Sequence, residues 1–204
     1  MPRTALLILN GELREPRRVR AAAAASDLLI CADGGARHAR TLGLVPDFIV
    51  GDMDSLARPL PRLWTRTVHL RDDDPERSDL DKALRLARSL GAVRVLIAGA
   101  LGGDLDHELV NFAVFEARAR GLDLSLIDGG TAVLLGPGRH LLPLKSGARF
   151  SLLAAPRARL SVTGARFAVR DETLARGSRG LGNRARGKVS IRVRSGLVWA
   201  FWGL

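Results

Sequence analysis

Phe48-Ile49-Val50-Gly51-Asp52-Met53-Asp54-Ser55 joins the end of a strand-like run to two closely spaced carboxylates. Phe48 to Val50 is an apolar run typical of a strand buried on both faces. Asp52 and Asp54 follow where the strand passes into a loop, and carboxylate oxygens suit a hard cation such as Mg²⁺. A lone Asp-x-Asp pair is more often a polar turn capped by its own side chains, so other segments must decide between the two.

Strand and helix patterns alternate on both sides of this segment. Ser78 to Leu90 has apolar residues at helical spacing with Ser78 as N-cap, and Asp106 to Arg120 is also predicted to be a helix. Further helical stretches are predicted at 17–25 and from the end of 33–35 to Leu42. Strands are predicted at 4–10, 28–32, 48–50, 67–70, 93–98 and 124–127. This alternation predicts a parallel sheet covered on both faces, a three-layer α/β domain.

The pattern changes after Gly129-Gly130. Short β-like runs separated by Gly and Pro occur at 132–135, 140–144, 150–154, 160–163, 189–193 and 197–202. No long helical period is present in this part, so it is predicted to be a small antiparallel sandwich or barrel. We therefore predict two domains, an α/β domain over 1–132 and a β-rich domain over 133–204.

The composition indicates a cytoplasmic protein. The chain has 204 residues, 47% of them hydrophobic, enough to form a real core. No run of 18 apolar residues exists, so no membrane contact is expected, and the N-terminal residues lack the layout of a signal peptide. Cys31 is the single cysteine, which excludes an internal disulfide and fits a reducing compartment, and its apolar surroundings indicate a core position.

The charge is unevenly distributed. Residues 1–132 carry 18 basic and 19 acidic side chains, whereas residues 133–204 carry 14 basic and 2 acidic ones, so the net charges are −1 and +12. A basic domain can indicate nucleic-acid binding. Only three of the 32 basic residues are lysines, however, and such arginine bias also arises from genome composition. The few aromatic residues of the basic part do not form an obvious base-stacking platform, so nucleic-acid binding is the less favoured alternative.

Acidic and Gly-rich segments recur at the predicted strand ends. Ligands of open α/β sheets bind beyond the carboxyl ends of the strands. Eleven of the fifteen aspartates fall between 33 and 106, mostly in segments at such ends: 33–35, 51–55, 71–74, 78–82 and 99–107. Helix N-caps explain individual aspartates, but like charges concentrated on one rim require cations. Gly102-Gly103 before a predicted helix would allow backbone N–H groups to approach a phosphate, which together with Mg²⁺ indicates a nucleoside triphosphate.

Three of these segments and one later stretch, in order, resemble the motifs of the thiamine pyrophosphokinase family. They are Gly51-Asp52-Met53-Asp54-Ser55, Ser78-Asp79-Leu80-Asp81, Gly102-Gly103-Asp104-Leu105-Asp106-His107 and the later stretch 178–183. The resemblance implies that ATP is the co-substrate with Mg²⁺, and that a pyrophosphoryl group passes to the hydroxyl of thiamine with AMP as the other product. It further implies a homodimer that binds thiamine near the subunit interface. The α/β domain would bind the nucleotide and Mg²⁺, and the β-rich domain would bind thiamine.

The resemblance also assigns residue roles. The implied metal ligands are Asp52, Asp54 and Asp79, with Asp33 close by. The implied catalytic residues are Asp106 and Asp79, and the implied nucleotide or substrate contacts are Asp33, Gly34, Gly102, Gly103, Lys82, Ser178 and Asn183. Lys82 lies three positions after Asp79, so both a phosphate contact and a solvated ion pair with Asp79 stay open. The acceptor of the hydroxyl proton also stays open between Asp106 and another carboxylate.

Three departures from the family pattern occur, and the second of them leaves the acceptor alcohol open. Asp104 stands where the family loop usually has Arg, which removes a phosphate-binding charge. Gly182 stands where Ser usually precedes the late Asn, which removes a hydroxyl from the implied thiamine pocket. The segment 72–77 is also longer than usual. A pyrophosphokinase for another alcohol, such as a hydroxymethylpterin, is therefore an alternative.

Overall fold

The computed structural model describes residues 3–56 and 59–203. The chain divides into two compact units, Met1–Gly129 and Gly130–Leu204. The division lies close to the boundary at 132 expected from the sequence. Each unit has its own hydrophobic core. None of the helices in the described ranges has the length and apolar composition needed to cross a membrane.

The first unit is a parallel α/β sheet, as the sequence predicts. Its six strands lie in the order β6-β5-β1-β2-β3-β4, and every neighbouring pair is parallel. The elements are β1 (Arg3–Ile8), α1 (Pro16–Ala24), β2 (Leu28–Ala32), α2 (Ala36–Leu42), β3 (Phe48–Gly51), β4 (Val68–Arg71), α3 (Asp79–Ser89), β5 (Ala92–Ala98), α4 (Leu105–Arg118) and β6 (Asp123–Leu126). The order reverses direction between β1 and β5, which is the position where such sheets form a binding crevice.

Both faces of this sheet are covered. Strand side chains that include Leu6 and Cys31 pack with Val19 of α1 and with residues of α2 in one core. Leu7 and Ile30, which alternate with them and point to the opposite face, are also buried, and α3 packs against β2, β3 and β5. Burial raises the pKa of the Cys31 thiol, which fits its predicted role as a core residue.

Helix α3 begins as its sequence predicts. The Ser78 hydroxyl accepts a hydrogen bond from the Asp81 backbone N–H at 3.3 Å and so caps the helix. Leu80, Ala83, Leu84 and Ala87 recur at helical spacing and are buried. The cap fixes Asp79 as the first helical residue, directly at the rim of the sheet.

The second unit is all-β and contains fewer, longer strands than predicted. They are β7 (Thr131–Leu135), β8 (Gly138–Leu141), β9 (Arg149–Ala165), β10 (Val169–Ala175) and β11 (Asn183–Trp202), in the order β10-β9-β11-β7 with β8 paired to β11. The predicted breaks near Pro156 and Gly196 lie within β9 and β11, and the register of the β9–β11 pairing shifts at Gly196. A Cβ at Gly196 would lie 2.0 Å from the Arg157 carbonyl oxygen, so this glycine permits close strand contact and does not end the strand.

Strand β11 curves around the second unit. Phe150 of β9 is paired with both Asn183 and Trp202, near the two ends of β11. The two long strands therefore close the unit into a sandwich-like barrel around the core that contains Phe150 and Leu160. The segment Val169–Ala175 is a strand that the sequence pattern did not predict, because its charged residues give no clear alternation.

Candidate active site

Three carboxylates meet at the carboxyl ends of β2 and β3. Asp33 follows β2, and Asp52 and Asp54 follow β3, its parallel neighbour. One oxygen from each lies within 4.8 Å of the other two. Parallel strands bring their carboxyl ends to one edge of the sheet, which is why residues far apart in sequence converge here. This group is called the acidic cluster below.

Asp33 is the buried member of the acidic cluster. It is 3% exposed, and its Oδ2 accepts a hydrogen bond from the Ser55 backbone N–H at 3.2 Å. Its Oδ1 is buried and has no hydrogen-bond partner. Burial raises the pKa of Asp33; hydrogen bonds from Ser55 oppose this, and the charges of Asp52 and Asp54 raise the pKa further. An unpaired buried carboxylate oxygen costs free energy, and a divalent cation held with Asp52 and Asp54 would supply the missing partner, so these residues fit a metal.

Asp79 borders the acidic cluster across Gly51. A Cβ at Gly51 would lie 2.7 Å from the Asp33 Cβ and 3.1 Å from Asp79 Oδ1, so both side chains pack against this glycine. Burial raises the pKa of Asp79, the Lys82 ammonium opposes the rise, and the charges of Asp33 and Asp52 add to it. Asp79 lies outside the mutually close trio but shares its electrostatic environment.

Lys82 is buried beside Asp79. Its Nζ lies 3.4 Å from Asp79 Oδ1, and its side chain is only 5% exposed. The interpretation as a solvated ion pair is therefore wrong, because packing of α3 on the sheet covers the lysine. Lys82 therefore places a buried positive charge beside Asp79 and the acidic cluster.

The Gly-rich loop after β5 is tied to the loop after β1. Backbone N–H groups of Gly11 and Glu12 donate to the carbonyls of Gly99 (2.8 Å) and Leu101 (2.7 Å). Gly102 has φ +81, and a Cβ there would lie 2.3 Å from the Glu12 Cβ. No side chain fits at Gly102, which lets the two loops approach each other closely.

The amide of Gly102 already has an anionic partner. Its N–H donates to Glu108 Oε1 of α4 at 2.5 Å. Gly103 has open space around its Cα. A carboxylate therefore occupies one of the backbone donors that the sequence assigned to a phosphate.

The loop after β1 is a part of the rim that the sequence analysis missed. Arg37 Nη2 of α2 donates to the Asn10 carbonyl at 2.6 Å, and His38 Nε2 donates to the Gly11 carbonyl at 2.7 Å. A Cβ at Gly34 would lie 2.6 Å from the Asn10 side chain, so Gly34 makes room for this loop. Its position at the carboxyl end of β1 was the available signal, because the other rim segments occupy equivalent places.

Asp106 is not a member of the acidic cluster. It is an exposed residue in the first turn of α4, and its Oδ1 accepts a hydrogen bond from the His107 backbone N–H at 2.8 Å. Asp104 is the N-cap residue of α4, without a side-chain capping hydrogen bond. His107 is exposed, as expected for a residue near a helix start.

A pocket opens at the carboxyl ends of β5 and β6. Arg14 and Asp128 are its charged lining residues. The Asp128 carboxylate accepts hydrogen bonds from the backbone N–H groups of Arg14 (2.9 Å) and Glu15 (2.7 Å). Its lining residues are Arg14, Ile97, Ala100, Leu101, Leu126 and Asp128. The sequence analysis singled out none of the polar members.

The two site residues expected in the second unit differ in environment. Ser178 is exposed in the loop between β10 and β11. Asn183 is buried; its Oδ1 accepts from the N–H groups of Phe167 (3.0 Å) and Arg184 (2.9 Å), and its Nδ2 donates to the Phe167 carbonyl. The amide of Asn183 therefore holds the turn before β10.

Ser151 supplies a hydroxyl next to Gly182. The buried Ser151 Oγ accepts a hydrogen bond from the Gly182 N–H at 3.0 Å. Gly182, which lacks the serine hydroxyl of the family pattern, is thus in contact with a hydroxyl from β9.

Comparison with known proteins agrees with the motifs. The model of the thiamin pyrophosphokinase catalytic domain matches residues 19–125, just over half of the chain. The chain belongs to the thiamin pyrophosphokinase family. The matched range contains Asp33, Asp52, Asp54 and Asp79, and the resemblance inferred from the motifs is confirmed.

Plant relatives match about half of their own length. Thiamine pyrophosphokinase 2 of Arabidopsis thaliana is 34% identical over 136 residues, which cover 55% of this chain and 50% of the relative. Thiamine pyrophosphokinase 2 of Oryza sativa subsp. japonica is 30% identical over 134 residues, which cover 54% of this chain and 49% of the relative. The chain spans about half the length of the curated relatives it matches.

Solved structures of the family share the fold of the whole chain. The crystal structure of thiamine pyrophosphokinase from Bacillus subtilis has a TM-score of 0.82 at 20% identity and covers 98% of both chains. The thiamin pyrophosphokinase from Candida albicans has a TM-score of 0.78 at 16% identity and covers 98% of this chain and 89% of its own. The predicted fold class, parallel α/β followed by β, is confirmed.

Proposed function

We propose that this chain is a thiamine pyrophosphokinase that uses ATP and Mg²⁺. The thiamine hydroxyl oxygen attacks the β-phosphorus of ATP, the bond from that phosphorus to the α-bridging oxygen breaks, and thiamine diphosphate and AMP leave. Family membership and the names of the relatives support this proposal. The observation that carries it is the convergence of Asp33, Asp52 and Asp54 around an unpaired buried carboxylate oxygen.

The acidic cluster would hold the metal. Asp33, Asp52 and Asp54 are the proposed ligands, with Asp79 at the border. When bound, Mg²⁺ supplies positive charge against the phosphate oxygens, on which negative charge builds during transfer. The role of the chain itself is to gather carboxylates from two strand ends and to keep them close before any cation arrives.

The remaining rim residues would orient the nucleotide and move the proton. Gly102 and Gly103 lie just before α4, whose N-terminal N–H groups and helix dipole favour phosphate. Nucleotide binding at Gly102 would have to replace its hydrogen bond to Glu108. Asp106, exposed in the first turn of α4, is the proposed acceptor of the hydroxyl proton.

The second unit is proposed to bind thiamine, and the protein is proposed to be a cytoplasmic homodimer with the substrate near the interface. Ser178 is exposed and available for contact, whereas Asn183 would act by holding the turn at Phe167. Light scattering after size-exclusion chromatography measures the oligomeric state, and a monomer at enzymatic concentrations contradicts the dimer.

Product analysis tests the activity. The purified chain is incubated with ATP and Mg²⁺ and with thiamine, a hydroxymethylpterin or no acceptor, and AMP and the diphosphate ester are quantified by ³¹P NMR and chromatography. We expect AMP and thiamine diphosphate in equal amounts with thiamine only. Turnover with the pterin alone supports the other alcohol. Absence of all turnover together with steeply salt-dependent binding of RNA or DNA rejects the enzyme in favour of nucleic-acid binding.

A further inference from the structure

Lys82 occupies an unfavourable position for a cation. Among the residues that the structure describes, it is the only buried lysine or arginine. Burial of an ammonium group is costly unless the charge is compensated. Lys82 also lies in the first turn of α3, close to the positive end of the helix dipole, where cations are disfavoured. A compensating negative environment must therefore exist nearby.

The ion pair with Asp79 alone gives only part of this compensation. Its N···O distance of 3.4 Å exceeds the roughly 2.7–2.9 Å of a strong charge-assisted hydrogen bond. Asp79 in turn packs on Gly51 opposite Asp33, whose Oδ1 is buried and unpaired. The Lys82 ammonium is therefore compensated by the negative charge of the acidic cluster as well as by Asp79.

Direct binding of a phosphate by Lys82 fits the structure less well. A ligand in solvent must reach the Nζ atom, but the lysine side chain is 5% exposed. Asp79, whose side chain is 37% exposed, lies at the surface of this pair. The carboxylate, and not the ammonium, faces an incoming ligand.

We propose that Lys82 is a positioning residue that serves as the fixed counter-charge of the acidic cluster. It holds the Asp79 carboxylate beside Gly51 and weakens the attraction of the cluster for a divalent cation, so that the metal exchanges between turnovers. This inference rests on the proposed function in one respect, since it takes the acidic cluster as the metal site. It predicts that removal of the lysine charge tightens metal binding.

Calorimetric titration of Mg²⁺ into the nucleotide-free protein at pH 8 tests this. Lys82→Met keeps the length of the side chain and removes its charge, and we expect the Mg²⁺ dissociation constant to fall by about tenfold. The Mg²⁺-induced rise in Tm should increase accordingly. Arg85→Met is the matched control, because Arg85 is an exposed cation on the same helix and the change in net charge is identical. We expect its Mg²⁺ affinity to stay within about twofold of the wild type, since exposed charges are screened.

Each other result overturns the proposal. Unchanged or weaker Mg²⁺ binding by a folded Lys82→Met variant means that the lysine only supports packing. A higher KM for ATP with unchanged Mg²⁺ affinity means that it contacts phosphate. An equal gain in affinity for Arg85→Met means that net charge alone is responsible.

A rescue comparison covers the case in which Lys82→Met alone does not fold. Asp79→Asn should destabilise the metal-free protein by leaving the ammonium without its partner, and adding Lys82→Met should restore part of the lost Tm. Asp52 is an exposed member of the cluster, and adding Lys82→Met to Asp52→Asn should not raise the Tm. If adding Lys82→Met to Asp79→Asn restores none of the lost Tm, the counter-charge role is refuted. These measurements need no turnover, so they remain informative if the proposed activity is absent.

Discussion

Replacement of Asp33 by Asn should stabilise the metal-free protein while removing its response to Mg²⁺. Asp33 is 3% exposed, and its Oδ1 has no partner, so the wild-type chain carries a buried, unsatisfied carboxylate oxygen. Such a group costs roughly 1–3 kcal/mol. The neutral amide keeps the acceptor for the Ser55 N–H but still leaves a donor unpaired, so we expect a gain of about 1 kcal/mol, or about 2–4 °C in Tm.

The gain in stability of Asp33→Asn over the wild type should depend on pH. Burial raises the pKa of Asp33 above its unfolded value, so the folded state binds the proton more tightly. The resulting stability of the wild type is fully present below the unfolded pKa of about 3.9 and is lost as the pH rises through the folded pKa. The Asp33→Asn variant lacks this titration. The advantage of the variant should therefore be largest near neutral pH and shrink on acidification.

Thermal denaturation followed by circular dichroism at several pH values, with EDTA or with Mg²⁺, measures both effects. Mg²⁺ should raise the Tm of the wild type and leave that of Asp33→Asn unchanged. If the variant is less stable than the wild type in EDTA by the same amount at all pH values, Asp33 is a structural hydrogen-bond acceptor and the metal argument fails.

Three further predictions follow from the rim and its supports. Asp52 is exposed, so Asp52→Asn should leave the Tm within about 2 °C of the wild type. It should reduce kcat by at least about 100-fold, since loss of even a residue that only supports a metal ligand reduces activity roughly 10–100-fold. Wild-type formation of AMP by this variant would show that the acidic cluster is not the metal site. Gly102→Ala should cost about 1–3 kcal/mol in chemical denaturation, because its Cβ would lie 2.3 Å from a neighbouring side-chain carbon at φ +81, whereas Gly103→Ala, with open surroundings, should cost less than about 1 kcal/mol; equal losses contradict the close loop packing. Asp81→Asn breaks a bidentate pair between a buried carboxylate and an arginine of α4 and should cost about 1–3 kcal/mol. Asp73→Asn, which removes an exposed ion pair, should cost less, and a larger loss in Asp73→Asn than in Asp81→Asn contradicts this ranking.

Features governed by local rules were predictable from the sequence. The strand patterns of β1 to β6 and the cap at Ser78 depend on residues next to one another in the chain, and the structure confirms them. The meeting of Asp33 with Asp52 and Asp54 followed from a topological rule, because parallel neighbours place their carboxyl ends together.

Features governed by tertiary packing were not predictable. Pro156 and Gly196 end strands in most contexts, yet here they lie within long strands that only the closure of the second unit explains. Lys82 gives the same pattern in sequence whether it is solvated or buried, and only the packing of α3 decides. The interactions of Asn183 with Phe167 join segments whose proximity the sequence does not reveal.

The packing of Gly35 and Gly51 has a consequence for how this protein tolerates change. A Cβ at Gly35 would lie 2.1 Å from the Ile8 carbonyl oxygen, and one at Gly51 would lie 2.7 Å from the Cβ of Asp33. Neither glycine has a reactive group, yet a methyl group would collide with the backbone of β1 at Gly35 and with the Asp33 side chain at Gly51. In a saturation-mutagenesis library selected for growth that depends on this protein, substitutions at the two glycines should be depleted as strongly as those at the aspartates. Such a library would therefore identify positions that support the site as well as the metal ligands themselves.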